Sequence, residues 1–182
     1  MNIMDNKNEF KPYIPADKVV PEFTVTSIVI GIILAVVFGA ANAYLGLLVG
    51  MTISASIPAA VISMGIIRVI LRRDSILENN IVQTIGSAGE SLAAGAIFTL
   101  PALFLWAEEG KIEFPSMITI FFIALFGGLL GVCFMVPLRQ ALIVEEHGTL
   151  PFPEGTACAE VLLAGEEGGA KAGTVFTGLG IA

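Results

Sequence analysis

Charge is what this sequence has least of: Asp, Glu, Lys and Arg make up 14% of its 182 residues, against 55% hydrophobic ones. An ordinary soluble domain of this length needs apolar faces, so long charge-free apolar blocks exclude one. Basic residues are the scarcer sign, nine against sixteen acids for a formal charge of -7. With no basic patch, a nucleic-acid partner is excluded. Cysteine is represented by Cys133 and Cys158, which form no CxxC pair and no zinc-finger spacing. That excludes a disulfide framework and leaves two free thiols. Gly165, Gly168 and Gly169 lack the Lys-Ser/Thr of a nucleotide-phosphate loop. Ser, His and Asp fall into no nucleophilic arrangement, and His147 with Glu145, Glu146, Glu154 and Cys158 fits no metal-ligand spacing. The reading is therefore no enzyme, no metal and no cofactor.

What the chain has in quantity is uninterrupted hydrophobicity. Residues 1–23 form a polar tail that mixes Lys7, Lys11 and Lys18 with Asp5, Glu9 and Asp17. It is no secretory signal, because the apolar stretch begins late and runs long. From Thr24 to Ile67 no residue is charged. As one helix that run would be roughly twice the ~30 Å thickness of a bilayer core, so it predicts two spans. The turn is expected between Tyr44 and Ser54, loosened by Gly46 and Gly50, with Pro58 kinking the second span and freeing the carbonyl near Ser54.

Arg68 to Glu78 reads as a charged loop on a membrane face. A third span is expected over about residues 79–105, ending near the interfacial Trp106, and a fourth over Ser116 to Leu138. Residues 139–173 read as a loop with a short helix near Thr156 to Ala164, and a new apolar run begins at Thr174 and stops at Ala182. The expectation is an all-α, polytopic transmembrane bundle with four complete spans over 24–138 and the start of a fifth at 174–182, the remaining spans of a longer chain lying beyond. An inside amino terminus then puts eight of the nine basic residues on one side, Lys111 alone opposite. The positive-inside rule makes that side the cytoplasm, and the chain a multi-pass protein of the cell membrane.

Small residues recur at helical spacing: Gly31, Ala35, Gly39 and Ala43 in the first span, Ser87, Ser91 and Gly95 in the third, Gly127 and Gly131 in the fourth. Such rows let helix backbones approach closely in lipid. Glu90 stands out chemically, because a carboxylate inside an apolar helix costs roughly 2.5 to 3.5 kcal/mol on insertion scales unless it meets water or a partner. Gln83, Gly86, Ser87 and Ala94 share its helical face, a small and polar stripe suited to a cavity wall. Two roles fit Glu90: taking up and releasing a proton along a permeation route, or capping a broken helix by binding backbone amides. Asn42, Asn79 and Asn80 suit bonds across helices or to unwound backbone.

Three blocks resemble the oligopeptide transporter (OPT) family in its prokaryotic form, over its amino-terminal part. Asn42-Ala43-Tyr44-Leu45-Gly46 through Ile57-Pro58-Ala59-Ala60-Val61 looks like the first two spans. Asn80-Ile81-Val82-Gln83-Thr84 with Gly86-Ser87-Ala88-Gly89-Glu90-Ser91, continuing to Phe98-Thr99-Leu100-Pro101, is similar to the third. Leu150-Pro151-Phe152-Pro153-Glu154-Gly155-Thr156-Ala157-Cys158 resembles the segment after the fourth. The resemblance implies proton-driven secondary active uptake of small peptides or, in one branch, metal chelates. Glu90, Gln83, Ser87, Asn42 and Asn80 are then candidates for the transport pathway, with Glu154 guarding its cytoplasmic mouth. The competing reading is a non-transporting membrane scaffold or partner subunit, in which the small-residue rows serve packing alone. An intramembrane enzyme is the weakest reading, for want of a second reactive group beside Glu90.

Overall fold

The computed structural model describes residues 12–15, 17–73, 75–146, 148–167 and 169–181. Most of the polar tail and His147 lie outside these described residues. Every regular element among them is helical, and the chain is an all-α transmembrane bundle. Helix α1 spans Val25–Val49 and α2 Ser56–Met64, the latter prolonged by a π-wound segment, Gly65–Ile70. Helix α3 spans Ile76–Glu108, and α4 spans Met117–Arg139 with a second π-wound extension, Gln140–Glu145. The shorter α5 and α6 cover Pro153–Glu167 and Gly169–Ile181.

Three of these, α1, α3 and α4 with its extension, are long and apolar enough to cross a membrane. The predicted second span is shorter: nine α-helical residues and six π-wound ones reach only about 22 Å at ~1.5 Å per residue. The reason lies in where the turn falls. Gly50, with φ of +72° that favours glycine, caps α1, and residues 51–55 then run on without helical structure before α2 begins. Gly46 stays inside α1. The expected kink at Pro58 is also absent, because Ala55 is the N-cap and Pro58 sits in the first turn of α2. Its missing N–H falls among the donors that have no intrahelical partner anyway. Glu78, expected in a charged loop, lies in the first turn of α3.

Local chemistry explains the starts. Thr24 caps α1 by accepting from the Ser27 N–H at 3.2 Å, while the Ser27 hydroxyl accepts from the Thr24 N–H at 3.1 Å. Ser75 caps α3 by accepting from Glu78 N–H at 3.3 Å, and Ser116 caps α4 by accepting from Thr119 N–H at 3.2 Å.

Helices α1 and α3 run parallel in extended direct contact, and α2 returns antiparallel along α3. At one end the Glu78 carboxylate, buried, accepts from the Thr24 hydroxyl at 2.5 Å and pairs with Arg73 at 2.9 Å. Above it, a methyl added at Gly31 would lie 2.8 Å from Ile85 Cβ, and one at Gly39 would lie 3.1 Å from the Gly89 carbonyl oxygen. A methyl on Gly89 would run into the Ala35 carbonyl. The first-span row of small residues therefore does bring two backbones together. On α3 the facing glycines are Gly86 and Gly89. A methyl added at Gly95 of α3, or at Gly127 or Gly131 of α4, would meet nothing within 4 Å, and a groove of about 500 Å³ separates these two helices there. At those three glycines the helices make no close approach.

Candidate functional site

The site begins with an unwound piece of backbone. Between α1 and α2 the backbone groups of residues 51–55 have no helical partners and all but Ala55 are at least partly exposed; in a membrane unpaired N–H and C=O groups are costly and must be met by the protein or by water. Asn42 of α1 meets two of them. Its amide donates to the Ile53 carbonyl at 2.7 Å and its oxygen accepts from the Ile53 N–H at 2.9 Å, so one buried side chain stands in for a neighbouring strand. Glu90 of α3 meets the next: its Oε2 accepts from the Ala55 N–H at 3.0 Å. That places a carboxylate at the amino end of α2, where the helix dipole favours negative charge. One turn earlier on α3, Ser87 shares a hydrogen bond with the Ser56 hydroxyl at 3.0 Å.

A second carboxylate reaches the same place from α5. The Ser54 hydroxyl donates to Glu154 Oε1 in a short hydrogen bond, and the Ser54 and Ser56 hydroxyls hold the Glu154 carboxyl below its ordinary range. Helix α5 lies along α2 with both amino ends together. Cys158 and Leu162 pack against Ala60, Val61 and Met64, and a side chain at Gly165 would collide with Met64. Burial, with Glu154 nearby, pushes the Cys158 thiol up, so it stays protonated and serves as packing. At the far end of the pair, Arg68 donates to the Glu166 carbonyl at 3.2 Å.

Between α2, the start of α3 and α5 lies a cavity of about 680 Å³. Its polar lining comes from Ser56, Asn80, Gln83 and Glu154 with Tyr13 of the amino-terminal tail, and its apolar lining includes Leu77 and Leu162. Of the residues singled out from sequence, Asn80, Gln83 and Glu154 thus border one cavity. Ser87 reaches its edge through Ser56. Glu90 and Asn42 do not line it; they hold the backbone of Ile53 and Ala55 that leads into Ser56 at its edge. Asn79, by contrast, is buried in packing: its Oδ1 accepts from the Ser63 hydroxyl at 3.0 Å and its Nδ2 donates to the Ser75 carbonyl at 3.2 Å.

Ser54 and Ser56 were not singled out from sequence, nor was the Glu78 cluster. A signal existed for each. Two serines just before Pro58 have the form of a helix start, and Ser75 followed three residues later by Glu78 has the form of a capping box. Among the described residues no three His, Cys, Asp or Glu side chains lie together as a metal site would require. The arrangement instead offers an amphipathic cavity, with carboxylate, hydroxyl and amide groups at one end and leucines beside them.

The comparisons with known proteins agree with this architecture. Over 130 residues the chain is 45% identical to a protein of Haemophilus influenzae named "Putative oligopeptide transporter", a match covering 71% of this chain and 19% of that relative. The chain therefore spans about a fifth of the length of the curated relative it matches. No solved structure matches it. The family described as OPT oligopeptide transporter protein matches residues 22–182, which takes in every helix from α1 to α6, and the chain belongs to that family.

Proposed function

We propose that the whole protein is a secondary active transporter that brings small peptides into the cell across the cytoplasmic membrane, driven by protons, with its amino terminus cytoplasmic. The observation that carries this reading is the cavity of about 680 Å³ bordered by Ser56, where α2 starts after the non-helical turn from α1. Secondary transporters place their substrate sites where discontinuous helices leave backbone and helix ends facing a cavity, and then open that site to one side and the other. Here the non-helical turn at residues 51–55, which reverses the chain between α1 and the short α2, and the paired amino ends of α2 and α5 supply such a place. The remaining helices of the whole protein close the cavity, and the apolar flank of α4, bare along its length, meets lipid or those helices.

Glu90 is the proton carrier in this scheme. Its contact with the Ala55 N–H ties its charge to the position of α2, so a proton on Glu90 weakens the hold on the rim of the cavity and lets α2 move. Glu90→Gln in the whole protein, reconstituted in proteoliposomes, keeps an oxygen that can accept from Ala55 and removes the charge. The expected result is loss of gradient-driven accumulation of a labelled tripeptide by tenfold or more, with downhill exchange retained. Unchanged accumulation and unchanged pH dependence remove Glu90 from the coupling. Absence of any peptide uptake by the wild-type protein favours the scaffold reading instead.

A further inference from the structure

Resting on the reading of the cavity as a peptide site, we infer that Glu154 receives the free α-ammonium group of the peptide, and that the site selects substrates by their amino end while leaving their carboxyl end unread. The geometry is one-sided. Glu154 borders the cavity and is solvent-exposed, and its two hydroxyl partners use only part of a carboxylate's capacity of about four hydrogen bonds. An ammonium has three donors to give. Beside Glu154 on the cavity wall, the side-chain amides of Asn80 and Gln83 each offer a donor and an acceptor, the complement of a peptide bond. Leu77 and Leu162 supply apolar surface for side chains.

No Lys or Arg lines this cavity among the described residues, so a peptide carboxylate finds no counter-charge in it. The amino ends of α2 and α5 do not reverse that balance. Each carries roughly half a positive charge, whereas Glu154, and Glu90 whenever it carries no proton, bring a full formal negative charge apiece to the start of α2. The local field therefore favours a cation. Hydroxyl donation from Ser54 and Ser56 holds the Glu154 carboxyl below its ordinary range, which suits a group that must remain a counter-ion while protons are being moved nearby. The volume falls within the ~300–1,000 Å³ typical of small-ligand sites, enough for a peptide of a few residues.

The test uses the whole protein in proteoliposomes, with uptake of labelled Ala-Leu-Ala competed by unlabelled analogues. The free peptide and its carboxyl-terminal amide are expected to compete within about threefold of each other. The N-acetyl peptide is expected to be weaker by about tenfold or more, the loss of one charge-assisted hydrogen bond. Glu154→Gln is expected to raise KM for the free peptide about tenfold and to abolish the preference over the N-acetyl form. Equal competition by free and N-acetyl peptides overturns the inference, as does an amide that competes as poorly as the N-acetyl form. N-acetyl-Ala-Lys-Ala competing as well as the free peptide shows that a side-chain ammonium is read instead and overturns the α-ammonium assignment. These wild-type comparisons decide the matter even where Glu154→Gln fails to fold. No uptake of the labelled peptide at all overturns the transport reading itself, a distinct result.

Discussion

Helices α1 and α4 are close to interchangeable by composition and very different in place. Each is a charge-free apolar helix until Arg139 ends α4, and each carries small residues, glycine among them, at four-residue spacing. Yet α1 is seated along α3 for its whole length, with Ser27, Gly31, Leu34, Asn42 and Gly46 buried, while no residue of α4 is buried. The difference is not hydrophobicity, since lipid offers apolar surface as good as any helix does. What α1 has and α4 lacks is polar anchorage at both ends of its seam. Thr24 is tied to Glu78 at one end, and Asn42 to the Ile53 backbone near the other. Glycine rows permit close approach; buried hydrogen bonds decide where it happens.

The sharpest way to break that contrast is a single carbon at Gly89. Gly89→Ala puts a methyl against the Ala35 backbone, where no rotamer change relieves the clash, so α1 and α3 must separate. Overpacking of this kind costs about 1–3 kcal/mol, more than the roughly 0.5–1 kcal/mol that alanine gains over glycine in a helix. Thermal unfolding of the whole protein in detergent micelles is expected to show a lowered midpoint for this variant. A midpoint at or above the wild-type value means that the α1–α3 seam is not the tight contact of the bundle.

Asn42→Ala comes next in size, because it removes anchorage and leaves the seam's shape intact. It strips both partners from Ile53, and each backbone group left unpaired in a dry place costs about 1–3 kcal/mol. Water reaches part of residues 50–54, which are mostly exposed, so the net loss is expected at the low end of that range. The local signature is more telling than the total: hydrogen exchange at residues 51–55 should speed up while the middle of α3 stays protected. Protection unchanged in that segment means Asn42 does not hold the break, and the proposed hinge of the cavity rim loses its fixed point.

How far the sequence reveals these arrangements depends on which physical quantity sets them. Charge-free run length marks α1 and α4 directly, because bilayer thickness fixes what a span needs, and α3 is marked by an apolar run that Glu90 interrupts. The polar stripe of Asn80 and Gln83 with Ser87 is visible too, because helical spacing alone puts those residues on one face. The turn expected between Tyr44 and Ser54 overlaps the non-helical residues 51–55, but hydropathy does not show that its backbone is met by Asn42 and Glu90. The junction of Glu154 with Ser54 joins residues a hundred positions apart, and no local pattern encodes it. Glu90 illustrates the limit best. Its cost in an apolar helix announces a partner, and only the fold shows that the partner includes the amide of Ala55.

The smallest expected effect tests the comparison from its other side. Gly127→Ala adds the same methyl to α4 that Gly89→Ala adds to α3, and here it meets nothing within 4 Å. With no clash to offset it, the helix-propensity gain stands alone, so the variant is expected to be unchanged or stabilised by up to roughly 1 kcal/mol. The same micelle unfolding experiment checks it, and the sign is what matters. If Gly127→Ala destabilises the whole protein as Gly89→Ala does, then the α4 glycine face is seated against another helix, and a glycine row by itself is enough to locate a contact. If the two variants move in opposite directions, close approach in this bundle follows the hydrogen-bonded anchors of α1, and the groove beside α4 is free to open and close.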